Sequence, residues 1–218
     1  MSETVKTYKL PNLEEVIPMD RDAFYREQVE CAKANKTPDR AVEVVAVFLF
    51  NTQGEILIQK RSFIKAHNAG QLDKSIGGHI KSGDTSDYTV MVETIQELQT
   101  PSIVLKNQED FLKTLTLLHT YLETVSVIKY IKTELHHLSR IINGQSVEII
   151  NLVPVYFGVY NGRIRPVDRE AKGVLWYSLD ELEAEIKKLP EAFTFDIRYY
   201  VEKYREQMHE FVRLIKDK

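Results

Sequence analysis

The longest apolar run in the chain, AVEVVAVFLF from Ala41 to Phe50, is β-branched and almost unbroken. That pattern predicts a strand covered on both faces. Asn51 to Gly54 supplies turn residues and Glu55 to Gln59 a returning strand, so the pair predicts the central hairpin of a mixed sheet. Val147 to Tyr160 is a second strand-forming run, and Pro154 within it predicts a bend, a bulge or an edge position. Val174 to Tyr177 reads as a short strand. Ser178, with Glu181 at the capping-box position, then predicts the start of a helix.

Other segments follow the helical period. Tyr88, Met91, Ile95 and Leu98 recur at spacings of three, four and three, which predicts a helix from Ser86 with that stripe on the core. Glu93 and Glu97 then fall on the opposite side, with Gln96 beside them. Pro101 ends this helix. From Gln108 to Ile142 apolar residues again recur at threes and fours, predicting one long helix, or two with a break near Thr124, closed by Asn143 and Gly144. Asp20 or Asp22 is expected to cap an N-terminal helix through Ala34.

Composition narrows the class. The chain has 218 residues, 43% hydrophobic and 28% charged, which fits one soluble domain or one domain with an elaboration. A net charge of -3 gives no general attraction to nucleic acid. Cys31 is the single cysteine, so no intramolecular disulfide forms, and a reducing compartment is expected. No apolar run approaches the roughly 20 residues of a membrane span, and MSETVKTYKL lacks the apolar core of a signal peptide. The expected setting is the cytoplasm.

Two carboxylates four residues apart on a helix are usually a solvated face. Beside a glycine turn such as Gly77–Gly78, they also suit a hard divalent cation that takes oxygen ligands and holds phosphates. Lys60, Arg61, Lys65, Lys74 and Lys81 crowd the approach to that turn. They are either surface charge or a cradle for a phosphorylated substrate.

The stretch GGHIKSGDTSDYTVMVETIQELQT from Gly77 to Thr100 resembles the Nudix box, a G, five residues, E, seven residues, then R-E-U-x-E-E-x-G-U, with U aliphatic. Gly78, Asp84, Glu93 and Glu97 match the glycine and acidic positions. Val92, Thr94, Gln96, Gln99 and Thr100 depart from it, so the box is degenerate. Upstream, Q-K-R-S at Gln59 to Ser62, then a lysine, D-x-S and G-G-H, resemble the Nudix subgroup related to isopentenyl-diphosphate isomerase. After the box, V-L-W-Y-S-L-D-E-L resembles the end of a Nudix domain.

The resemblance implies an α/β/α sandwich around a mixed sheet. The Nudix domain would span 41–205, behind an N-terminal extension over 1–40, with the rest of the closing helix at 206–218. The run at 108–143 would be a helical insertion acting as a lid, as a homodimer interface, or simply packed on its own domain. The resemblance further implies Mg2+ or Mn2+ held by Gly77, Glu93, Gln96 and Glu97. Catalysis would fall to Glu93, Glu97 and Glu170, the last standing six residues before Trp176. Arg61, Lys65 and His79 would bind a small-molecule diphosphate substrate. No nucleic-acid or membrane partner is expected.

Three functions stay open: a hydrolase of nucleoside diphosphate derivatives, a Nudix-fold binding, sensing or assembly module, and an isopentenyl-diphosphate isomerase. The module reading draws on Val92, Gln96 and Gln99. Against the isomerase stands Gly77, which occupies the position of that enzyme's cysteine.

Overall fold

The protein is described from a computed structural model covering residues 3–63, 67–142, 144–163 and 171–217. It is built from β1 (Thr4–Lys9), β2 (Val16–Asp20), α1 (Arg21–Lys33), β3 (Arg40–Phe50), β4 (Ile56–Arg61), β5 (Leu72–Asp73) and β6 (Ile76–His79). Then follow α2 (Ser86–Leu98), β7 (Ser102–Leu105), α3 (Gln108–Leu117), β8 (Ser126–Ile142) and β9 (Gln145–Val159). The chain closes with β10 (Ala171–Tyr177), α4 (Leu179–Lys188), α5 (Phe195–Lys203) and α6 (Arg205–Lys216).

One mixed sheet runs β10-β4-β3-β9-β8-β7, and β3 is its axis. One edge of β3 pairs in parallel with β9 from Ala41↔Ile150 to Phe50↔Val159. The other edge is shared in sequence by β1, β6 and β4. The expected hairpin therefore splays: β4 meets β3 only at Phe50↔Ile56, and β6 fills the gap with Gly77 and Gly78 opposite Ala46 and Val45. The glycine turn is thus held by a largely buried central strand.

Helices cover both faces. On one, α2 packs Val90 and Leu98 against Val45, Val47, Leu57 and Ile128. On the other, Phe111, Leu182, Ile197 and Phe211 from α3 to α6 pack on Phe48, Phe50 and Phe157. This is the expected α/β/α sandwich. The Ser178–Glu181 capping box forms as the sequence predicts, and Asp20 caps α1 through Oδ1, 2.8 Å from the Ala23 amide. The N-terminal segment is woven into the sheet, since Val5 and Phe24 pack on Val42, Val147 and Ile149.

Three expectations are corrected. The helical run ends at Leu117, and Ser126 to Ile142 is a long strand paired antiparallel with β9 from Val127↔Val159 to Ile142↔Gln145. A bulge at Ile131, between Tyr130↔Tyr156 and Lys132↔Val155, shifts the strand by one residue. That shift reverses which side chains face inward, so apolar residues in a strand fall at threes and fours and imitate a helix.

The face of α2 is also reversed. Tyr88, Met91 and Ile95 are 53%, 42% and 54% exposed, whereas Thr94 and Glu97 are buried. Thr94 bonds the Ser102 hydroxyl at 2.9 Å, and Glu97 accepts from Gln59, so polar partners inside the fold outweigh the apolar stripe. Third, the closing helix breaks at Tyr204 into α5 and α6.

Candidate active site

Helix α2 begins where the Thr85 hydroxyl accepts from the Tyr88 amide, and ends at Gln99, whose φ of 53° is left-handed. Glycine is the residue that adopts this conformation without steric cost. Between these caps the helix aims Glu93 back at the glycine turn, where a Cβ added to Gly78 would collide with the Glu93 carboxylate. At Gly77 an added Cβ would instead stand 2.6 Å from Lys74 Cε. The two adjacent glycines therefore leave room for two side chains of opposite charge.

Glu93, Gln96, Gly77 and Gly78 line a cleft of about 760 Å³. Glu97 lies behind it, 8% exposed, with its Oε2 accepting from Gln59 Nε2 at 2.8 Å. Among the described residues, no group of three or more His, Cys, Asp or Glu side chains converges as a metal cluster. The oxygen donors here are carboxylate, amide and backbone carbonyl, the hard set that magnesium or manganese takes.

The same cleft is also lined by the cations Arg61, Lys74 and Arg140. Two buried carboxylates hold these cations. Asp73 Oδ2 lies 3.0 Å from Arg61 Nη1, Asp73 Oδ1 lies 3.6 Å from Lys74 Nζ, and Asp196 Oδ2 lies 3.7 Å from Lys74 Nζ and 3.5 Å from Arg140 Nη2. Burial pushes the Asp73 carboxyl up, but Lys74, Arg61, the Lys74 amide and the Thr194 hydroxyl together outweigh it and hold it at about 2. Burial likewise pulls the Arg140 guanidinium down. Tyr25, Asp196 and Asp73 more than offset this, so it stays charged. His67 is held below its ordinary range by burial and by Arg140 and Arg61.

Tyr25 reaches these cations from α1. Arg140 Nη1 donates to its phenol oxygen at 2.7 Å, and the same hydroxyl is hydrogen-bonded with His79 Nε2 at 3.0 Å. Within this cluster, Arg61 Nε, Arg140 Nε, His67 Nδ1 and Asp196 Oδ1 have no hydrogen-bond partner. They are half of the eight such buried side-chain atoms among the described residues. Each unpartnered group costs about 1–3 kcal/mol, so this region is the least satisfied polar interior of the fold.

The residues expected at the site are thus divided. Gly77, Glu93, Gln96, Arg61 and His79 share the cleft, and Glu97 is buried behind it. Lys65 and Glu170 lie outside the described residues. Sequence reasoning noted Lys74 only as one of a crowd of cations and Asp73 only as part of a motif, and it passed over Tyr25, Arg140 and Asp196. Arg140 sits in the segment misread as helix, and Tyr25 in the segment set apart as an extension.

A family model of the NUDIX domain matches residues 39–199, nearly three quarters of the chain. The chain belongs to the Nudix family. The isopentenyl-diphosphate Delta-isomerase of Serratia proteamaculans (strain 568) is 27% identical over 149 residues, covering 68% of each protein. The Deinococcus radiodurans protein DR0079 superposes with a TM-score of 0.60 at 19% identity, over 92% of this chain and 98% of that one. The MutT protein of Methanosarcina mazei Go1 superposes at 0.50 with 16% identity, over 77% and 94%. At these identities the structures share the Nudix fold. No helix among the described residues is long and apolar enough to cross a membrane.

Proposed function

We propose that this Nudix protein hydrolyses a diphosphate linkage in a nucleoside diphosphate derivative with a divalent metal, Mg2+ or Mn2+. The observation that carries the reading is one cleft that brings oxygen ligands and cations together, with Glu93 over Gly78, Lys74 over the adjacent Gly77, and Arg61 also in its lining. A diphosphate needs both.

Glu93 and Glu97, with Gln96 and the Gly77 carbonyl, would hold the metal. When bound, it would neutralise the phosphate oxygens and favour the leaving group. Gln59 orients Glu97 by donating to one of its carboxylate oxygens. Arg61 and Lys74 draw the negative phosphates down and keep their charge from opposing the approach of water. Glu93 orients that water and takes its proton, with Glu170 as the other candidate base.

Gln96 and Val92 support a second reading. An amide in place of a carboxylate removes a charge from the metal site, and valine in place of arginine removes a charged donor that would brace the acids. A protein that binds a diphosphate compound without turning it over would carry such changes. Release of phosphate or nucleotide from a panel of diphosphate-linked compounds, with and without Mg2+ or Mn2+, separates the two. Metal-dependent turnover lost in Glu97→Gln supports the hydrolase, and binding without turnover supports the module.

A further inference from the structure

The outer face of α2 inverts the pattern of an ordinary surface helix, which keeps its apolar stripe inside and its charges in water. Tyr88, Met91 and Ile95 stand 53%, 42% and 54% exposed, and Gln96 beside them is exposed as well. The three charged residues of the helix all turn away from this face. Glu97 is buried, Glu93 lies over Gly78, and Asp87 accepts from the Tyr156 hydroxyl at 2.9 Å. We propose that this face docks on the same face of a second copy of the chain, as an antiparallel pair of α2 helices.

The fold leaves the face open. Helices α3 to α6 all pack into the core on the opposite side of the sheet, whereas among the described residues α2 is the one helix in the core on this side. Trp176 of β10 and Tyr130 of β8 are only partly buried against that core. Contiguous exposed apolar surface of this kind marks an interaction site.

Charge and symmetry select the occupant. An anionic lipid surface draws on lysine or arginine beside an apolar stripe, and α2 has neither. A second copy needs only a face that matches itself, as an isologous contact requires. The order Thr85, Tyr88, Met91 with Val92, Ile95 and Gln99 runs polar, apolar, apolar, apolar, polar, and reads the same in both directions. Laid antiparallel about its middle, Met91 meets its own counterpart and Tyr88 meets the counterpart of Ile95. Thr85 and Gln99 close the ends with uncharged hydrogen-bonding groups, and the positive end of each helix lies beside the negative end of the other.

Two departures from the Nudix pattern serve the same contact. Val92 in place of arginine and Gln96 in place of glutamate take charge off this side of the helix. Gln96 also lines the cleft, so the second copy seats beside it. The three apolar side chains expose on the order of 300 Å², and with the polar rim a pair would bury about 1,000 Å² in total, the lower end of specific interfaces. The dimer is therefore reversible, dissociating in the micromolar range.

Sedimentation equilibrium of the full chain, from low to high micromolar concentration, tests this. The average mass should climb from 25.3 kDa towards twice that value. Met91→Glu and Met91→Lys each set two like charges face to face, so each should weaken association at least about tenfold. An equimolar mixture of the two should restore it by pairing opposite charges. Thermal unfolding checks that these exposed substitutions leave the fold intact. Tyr88→Glu, which gives Thr85 a capping-box partner, replaces them if they do not, with the same loss of association expected.

A wild type that stays monomeric at the top of the range overturns the proposal, and so does a dimer indifferent to these variants. Association lost in both Met91 variants and not recovered on mixing would mean that the face does not meet itself. Monomeric protein retained on vesicles of phosphatidylcholine and phosphatidylserine, and released in Met91→Glu, would give the face to a lipid surface instead. The readout is mass alone, so it stands apart from whether the protein turns over a diphosphate.

Discussion

Gln59 Nε2 donates to Glu97 Oε2 at 2.8 Å, joining β4 to α2 through a buried carboxylate. Glutamine suits this position because its uncharged donor orients the acid without competing for the cation. Gln59→Leu keeps the volume and removes the donor. Urea unfolding should show a loss of about 1–3 kcal/mol, and titration with Mn2+ an affinity lower by about 10–100-fold. Unchanged values on both counts would show that the bond does not orient Glu97.

The two glycines make a paired prediction. In Gly78→Ala the new methyl displaces the Glu93 carboxylate, and in Gly77→Ala it displaces the Lys74 stem. Both obstructing groups are flexible side chains, so each variant should remain folded, with stability changed by about 1 kcal/mol or less. Mn2+ titration should fail in Gly78→Ala and survive in Gly77→Ala. Equal loss in both would mean that the turn acts through its backbone alone.

Gln99 holds a left-handed φ of 53° where the Nudix pattern has glycine. Gln99→Gly should relieve that strain and raise stability by about 1 kcal/mol, read as a higher urea midpoint with activity unaltered. A lower midpoint would contradict the assignment of this residue as a helix cap.

Acid should weaken the fold through His136. Its ring is buried, bonded to the Tyr199 and Tyr204 hydroxyls at 3.1 Å each, and burial followed by Lys203 holds it at about 4, with Lys132 acting in the same direction against Glu134 and Asp196. An unfolded histidine titrates near about 6.5, so on acidification the unfolded chain takes the proton first. The stability is present in full above about 6.5 and is lost as pH falls towards 4, by about 2 kcal/mol after allowing for solvent screening. Below that range Glu134 and Asp73, both held at about 2, continue the loss. Urea midpoints between pH 7.5 and 4.5 should fall in the wild type and stay nearly level in His136→Gln, if that variant folds. Parallel slopes would remove His136 as the cause.

The sequence was most informative where chemistry is local. The β3 run, the Ser86 to Leu98 helix and the Ser178–Glu181 cap each carry their signal in neighbouring residues, and each forms. It misled where a distant partner decides. Ile131 is one extra residue in β8, visible only against Tyr156 and Val155 of β9. The α2 helix buries Glu97 because Gln59, 38 residues earlier, bonds it. The acidic residues of the site follow one motif and could be read from it. The cluster around its cations joins residue 25 to residues 74, 140 and 196, and no window of sequence contains it.

The most direct test of the whole account is the rate of phosphate or nucleotide release from diphosphate-linked compounds by wild type and Glu97→Gln, each with and without Mn2+. The account predicts turnover in the wild type that needs the metal and falls at least about a hundredfold in the variant. Metal-dependent turnover that survives Glu97→Gln would contradict the placing of the metal at Glu93 and Glu97. Tight binding of such a compound with no release would contradict hydrolysis itself.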